Sequence, residues 1–276
     1  MARRLTLPQW LRLPHGRRDL LRQLALFAGA YGGYEVVREL VGVNGYKPFG
    51  DATRIIGFER RLHVFWEPTI QSWVMRHTGW LLDIADWTYV NAHFALTAGA
   101  LAFIYVRRND SFYFVRNMFL IAMLIALVGY SVFPTAPPRL MPEWGFTDAI
   151  QQATHVTIEH GVSGALLNAY AAVPSMHVCF ALMIGLPMSR LVRHRIFQVL
   201  WRVYPLFIAF VVIATGNHYF TDVILGALTA GVAGLLAQQL LARARPEVWT
   251  FSGLVARQAP GQGVGAPAVS RASLSL

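Results

Sequence analysis

The chain has 276 residues, a net charge of +10, 55% hydrophobic residues and only 14% charged ones. Soluble domains carry about 25% charged residues, so a soluble chain of this size would lack the polar surface to cover itself. The mean hydropathy is +0.42. Together with apolar runs of roughly 20 residues, this excludes a soluble enzyme, a disordered chain and a nucleic-acid-binding module, and indicates a polytopic helical membrane protein. The basic charge comes from 23 Arg and one Lys, Lys47. In such a protein it is first a topology signal. Cys179 is the single cysteine, which excludes an intrachain disulfide and a CxxC metal site.

In chain order, residues 1–19 form a basic N-terminal segment. It does not read as a cleavable signal peptide, because no small-residue cleavage site follows and the next segment carries Glu35, Arg38 and Glu39. Residues 20–42 are the first candidate span, polar on one side in their second half. Residues 44–82 mix charge with aromatics, including Phe58, Trp66, Trp73 and Trp80, and read as an amphipathic helix at the membrane surface. Further spans follow at 84–106, 113–133, 174–190, 198–215 and 219–242. A long loop, 134–172, opens with Pro134, Pro137, Pro138 and Pro142. Small residues in the sixth span permit close helix approach. The tail 246–276 is rich in Gly, Ala, Pro, Gln and Ser and reads as disordered. The expected fold is thus all-α: a six-transmembrane-helix bundle with an interfacial amphipathic helix, its membrane domain covering 20–245.

Six spans put both termini on one side. That side would hold 17 of the 24 Lys and Arg residues, and the opposite side 7. The imbalance places the termini in the cytoplasm. The loops 44–82, 134–172 and 216–218 then face outward.

Ionisable residues at membrane depth are costly and point to function. Here three clusters fall on the outer side: Pro134-Thr135-Ala136-Pro137-Pro138-Arg139, Val173-Pro174-Ser175-Met176-His177, and Thr215 through Asp222. Pro174 suits the first turn of a helix. The helix start offers free N–H groups to an anion, and Ser175 adds a hydroxyl. His218 and Asp222 are four apart and share a helix face. A carboxylate on one ring nitrogen fixes the tautomer and leaves the other as nucleophile or base. Arg139 is a natural clamp for a phosphoryl group. The set suggests phosphoryl transfer without an obligatory metal or cofactor.

Other readings remain open at this level. An intramembrane His is often only a helix–helix hydrogen-bond partner. His177, His218 and Asp222 would also make a two-His, one-carboxylate metal site. A non-catalytic lipid-binding or transport protein could carry the same residues. His93, near Tyr89 and Asn91, lines a substrate pocket or joins two helices. Glu59 and Glu67, eight residues apart, would share a helix face and engage a head group or pair with Arg54, Arg60 or Arg61. His15, His63, His77, His155, His160 and His194 read as solvated or interfacial, and Cys179 as a packing residue.

The order Pro-Ser-Met-His at 174–177, then His-Tyr-Phe-Thr-Asp at 218–222, resembles the type-2 phosphatidic acid phosphatase superfamily. Residues 133–139 and Ala-Thr-Gly-Asn-His at 214–218 look like its inositol phosphorylceramide synthase-type branch. A fainter likeness covers 58–106, around Glu59, Glu67 and His93. The resemblance implies six helices and an outward-facing site. It implies His218 as a nucleophile that forms a phosphohistidine, Asp222 as its orienting partner, and His177 as general acid and then base. It implies Ser175 and Arg139 on the phosphate, with Asn217, Tyr219 and His93 beside the substrate. The wider superfamily carries a lysine in its first motif and an arginine six residues before the nucleophile. Here no lysine stands near Arg139, and position 212 is Val. Fewer cations favour a phosphodiester over a phosphomonoester. The expected substrate is therefore a membrane lipid phosphate, with water or an alcohol or polyol as acceptor and no nucleic-acid partner.

Overall fold

The computed structural model describes residues 13–41, 46–148 and 172–252. The described residues are all-helical, with no strand. Helix α1 spans Gly16–Val41, α2 Lys47–Arg61 and α3 Glu67–His77. Helix α4 runs Gly79–Arg107 through a π-helical turn at Thr88–Ala92, and α5 spans Asn109–Val132. Helix α6 spans Met176–Leu191, α7 Arg195–Ala214 and α8 Phe220–Ala244, and a short α9 follows at Pro246–Trp249.

Four of these, α4, α5, α7 and α8, are long and apolar enough to cross a membrane. Their outer faces carry exposed Leu124, Val128, Val203, Leu206, Ile224 and Leu228. So many exposed aliphatic side chains suit lipid rather than water. The interior is built from α5, α6 and α8, where Val115, Phe119, Cys179, Ile184 and Ala233 pack together. A second cluster joins α4 to α6 and α7 through Ala85, Tyr89, Val178, Ile208 and Val212. Small residues let these helices meet. A Cβ on Gly226 would collide with the Ser175 carbonyl, so glycine there sets how closely α8 approaches the start of α6.

The structure corrects the sequence reading in three places. Residues 44–82 do not form one interfacial helix. They form α2, α3 and the first turn of α4, because the chain breaks after Arg61. His63 there adopts φ 58, and Pro48 and Pro68 occupy the first turns of α2 and α3. Tyr46, Phe58, Trp66, Trp73 and Trp80 remain exposed along this stretch. Pro174 precedes α6 instead of opening it; Ser175 is the N-cap. The expectation of disorder from position 246 also fails over 246–252. Helix α9 occupies Pro246–Trp249, and Phe251 is buried with its ring 5.8 Å from that of Phe114. The expectations for residues 1–12, for His155 and His160, and for 253–276 fall outside the described residues.

Candidate active site

Three chain segments meet at one end of the bundle. The first is the turn between α7 and α8. Helix α7 ends in a left-handed Gly216, φ +68. The Gly216 N–H donates to Ile213 O and the Asn217 N–H to Val212 O, which satisfies the last carbonyls of the helix. Glycine is required twice, since a Cβ at 216 would also lie 2.6 Å from Gln71 Nε2. This tight reversal sets His218 directly in front of α8. His218 Nδ1 lies 3.3 Å from Asp222 Oδ2, and the same oxygen accepts the Tyr219 N–H at 2.9 Å. Both side chains are buried. The i, i+4 relation read from the sequence is therefore realised, with the carboxylate held in place by the backbone.

The second segment is the start of α6. The Ser175 N–H donates to Asp222 O at 3.1 Å, tying this turn to α8. Ser175 Oγ accepts the Val178 N–H at 3.5 Å. His177 follows in the first turn. Its ring lies 5.9 Å from that of His218 and 5.0 Å from that of His93, and stacks on Tyr89 at 4.2 Å. His177 Nε2 is buried with no hydrogen-bond partner. The aromatic face of Tyr89 fixes the imidazole plane and leaves the ring edge for chemistry.

The third segment is the loop after α5. The Arg139 N–H donates to Gly216 O at 2.7 Å. Arg139 Nε donates to Asn217 Oδ1 at 3.1 Å, and Nη1 pairs with Asp148 Oδ2 at 3.2 Å. Asn217 Nδ2 in turn donates to Thr215 Oγ1 at 2.7 Å. Gln71 pins the loop by exchanging two bonds with the backbone of Thr147. A guanidinium held by an amide and a carboxylate has a set direction, which suits a clamp.

His177, His218, Asp222, Ser175, Arg139, Asn217 and His93 are thus brought together. Tyr219 is not directed among the histidines. Its ring is fully buried against Phe146, and its hydroxyl donates to Ala136 O at 3.3 Å. His93 is fully buried, with Nδ1 2.8 Å from Tyr204 Oη and Nε2 unpartnered. It joins two helices, as the second alternative for it had it, and also contacts the His177 ring. Among the described residues no group of three or more His, Cys, Asp or Glu side chains is arranged to hold a metal ion.

Glu59 and Glu67 depart most from the sequence reading. They belong to different helices, and neither pairs with the arginines proposed for them: Arg54 bonds Asp51, and Arg60 lies over Trp144. Instead both carboxylates reach the first turn of α8. Glu67 Oε1 accepts the Phe220 N–H at 2.9 Å, and Glu59 Oε1 accepts the Thr221 N–H and hydroxyl, each at 2.7 Å. With Asp222 on the Tyr219 N–H, three carboxylates satisfy successive donors at the positive end of this helix. Burial and the adjacent Glu59 carboxyl push Glu67 up to about 8. The sequence also passed over Asp86. It is buried inside α4 with neither oxygen partnered. A carboxylate within an apolar span was the signal that could have found it.

An apolar groove of about 420 Å³ opens beside the cluster, lined by Ile55, Phe58, Phe133, Val173 and Leu225.

Comparison with known families completes this picture. Residues 53–236, more than half of the chain, match the PAP2 superfamily. The chain belongs to that superfamily, whose members are typically phosphatases, and the apolar helices mark it as an integral membrane protein. No curated protein and no solved structure matches the chain.

Proposed function

We propose that this protein is an integral-membrane phosphotransferase or phosphatase of the inositol phosphorylceramide synthase-type branch, working on a lipid-linked phosphate through a phosphohistidine. The observation that carries this is the His218–Asp222 pair facing His177 across 5.9 Å between ring centroids, with Arg139 hydrogen-bonded to the residue beside the nucleophile.

The chemistry runs on these side chains. Asp222 holds the Nδ1 proton of His218, leaving Nε2 to attack phosphorus. His177 gives its proton to the departing oxygen as the phosphorus–oxygen bond breaks. Arg139 and the N–H groups at the start of α6 hold the non-bridging oxygens. In the second half, the acceptor hydroxyl or water loses its proton to His177. Its oxygen bonds phosphorus, and the phosphorus–nitrogen electron pair returns to His218. Tyr219 positions the site through its backbone and Asn217 orients Arg139. The groove beside Val173 suits the hydrocarbon of a lipid donor.

The same reading takes α1 and α6 as spans beside the long apolar helices α4, α5, α7 and α8. This gives six helices, cytoplasmic termini and a site that faces outward. The catalytic unit then covers 20–245.

The test is turnover of phosphatidic acid, polyprenyl diphosphate and phosphatidylinositol by purified protein in EDTA, with and without an alcohol acceptor. Wild type should turn over at least one lipid and trap an acid-labile phosphohistidine, and His218→Ala should do neither. An active His218→Ala protein, or activity that disappears in EDTA, overturns the proposal.

A further inference from the structure

Four polar atoms buried on α4 or packed against it have no hydrogen-bond partner: both carboxylate oxygens of Asp86, Nε2 of His93 and Nε2 of His177. Asp86 and Tyr89 lie one helical turn apart. Tyr89 stacks on His177, and the π-helical turn at Thr88–Ala92 then brings His93 against His177 as well. Two carboxylates act on Asp86 electrostatically, Asp83 and Asp148. Asp83 is exposed and Asp148 is paired with Arg139, so neither offers Asp86 a donor. A buried carboxylate without donors is costly. It lies one helical turn from the residue stacked on His177, and close to the carboxylate that holds Arg139.

The chemistry of the four atoms selects a ligand class. Asp86 as a carboxylate only accepts. The imidazoles donate or accept according to tautomer. Where Tyr204 donates to His93 Nδ1, Nε2 of His93 carries a proton that needs an acceptor. A phosphodiester, which only accepts, is repelled by Asp86. An ammonium, which only donates, leaves that imidazole proton unmatched. A hydroxyl both donates and accepts.

Resting on the proposed phosphohistidine chemistry, we infer that Asp86, two helical turns before His93 on α4, binds the hydroxyl groups of a neutral polyol acceptor and so directs the phosphoenzyme towards transfer and away from hydrolysis. One acceptor hydroxyl gives its proton to His177 Nε2. Its oxygen bonds phosphorus, and the electron pair of the phosphorus–nitrogen bond returns to His218. A neighbouring hydroxyl donates to Asp86, an interaction that water cannot provide while also attacking. Asp86 is thus a specificity-determining residue, one that takes no part in bond making.

The full-length protein in detergent would be given radiolabelled lipid phosphate, with myo-inositol, glycerol or n-butanol as acceptor. The reading is the ratio of transfer product to free phosphate. Asp86→Asn should lower that ratio at least about tenfold with the polyols and leave it near wild type with n-butanol. Asp83→Asn, altering an exposed neighbour, should keep the wild-type ratio throughout. An unchanged ratio in Asp86→Asn, or an equal loss with n-butanol, overturns the inference. A second arm needs no turnover. Saturation-transfer NMR on His218→Ala protein should detect myo-inositol, and the added Asp86→Asn substitution should abolish the signal. Ethanolamine bound in its place, in an Asp86-dependent way, would also overturn it. If wild type forms no phosphohistidine, the proposed function fails, and the NMR arm still decides whether Asp86 binds a polyol.

Discussion

The two ends of the helix bundle handle buried polarity in opposite ways. At the end remote from the histidines, Asp19 of α1 is bonded through both oxygens. Gln23 donates to Oδ1, and the hydroxyls of Tyr105 and Tyr113 donate to Oδ2. Arg116 donates to Asn117 and Gln23. Among the described residues, Asn117 Nδ2 and Ser111 Oγ are the buried side-chain atoms that lack partners there. At the histidine end, unpartnered buried atoms occur on Glu59, Glu67, Asp86, His93, His177 and Asp222. A polar network that only holds helices together can be closed on itself. One that must receive a substrate keeps donors and acceptors in reserve, and the neighbouring contacts must hold them in place. Here the helix caps, the Tyr89 stack and the bonds from Arg139 to the turn do so.

The comparison can be broken most sharply at His177. Replacing it with Ala should lower turnover by about 10²- to 10⁴-fold while the thermal midpoint stays near wild type. Loss of folding together with activity would make His177 a packing residue. Gly226→Ala presses a methyl against the Ser175 carbonyl. It should destabilise the protein by about 1–3 kcal/mol and also lower turnover, because it separates α8 from α6 where His177 and His218 meet. Thermal melts beside kinetics would show both effects. Arg139→Lys keeps the charge but loses the planar fork that meets Asn217 and Asp148. Turnover should fall about tenfold or more, and full activity would reduce Arg139 to a point charge.

The Glu59–Glu67 pair predicts a pH effect on stability. Glu67 lies near 8 in the folded protein, well above its ordinary carboxyl value. The folded state therefore holds a proton that the unfolded state has released. Its contribution is full below the unfolded pKa and declines as pH rises through about 8. Melting temperatures should fall between acid and mildly alkaline pH, and Glu67→Gln should flatten that fall. An identical slope in the variant would show that Glu67 does not carry that proton. The smallest effect belongs to the opposite end. Tyr113→Phe removes one of three donors to Asp19 and should cost about 1 kcal/mol with turnover intact.

Much of the site was legible because its motifs are local. The spacing of four between His218 and Asp222 and the position of Ser175 before an apolar run each fix a geometry within one helical turn. The spacing of eight between Glu59 and Glu67 misled, since it presumed a helix that breaks at residues 62–66, and two short helices deliver both carboxylates to a third. Asp86 was passed over because it has no motif around it. Only the loss of every partner on burial sets it apart from a solvated side chain.

By itself the sequence determined the apolar helices, the gathering of the three motifs at one end of the bundle, and the His218–Asp222 pair. These follow from hydropathy and from periodicity along one helix. Only the tertiary structure decided which carboxylates cap α8, that His93 and Tyr89 flank His177, and that Asp86 is left without a donor. Those relations join atoms far apart in the chain, and packing sets them by leaving room for one arrangement of the buried polar groups.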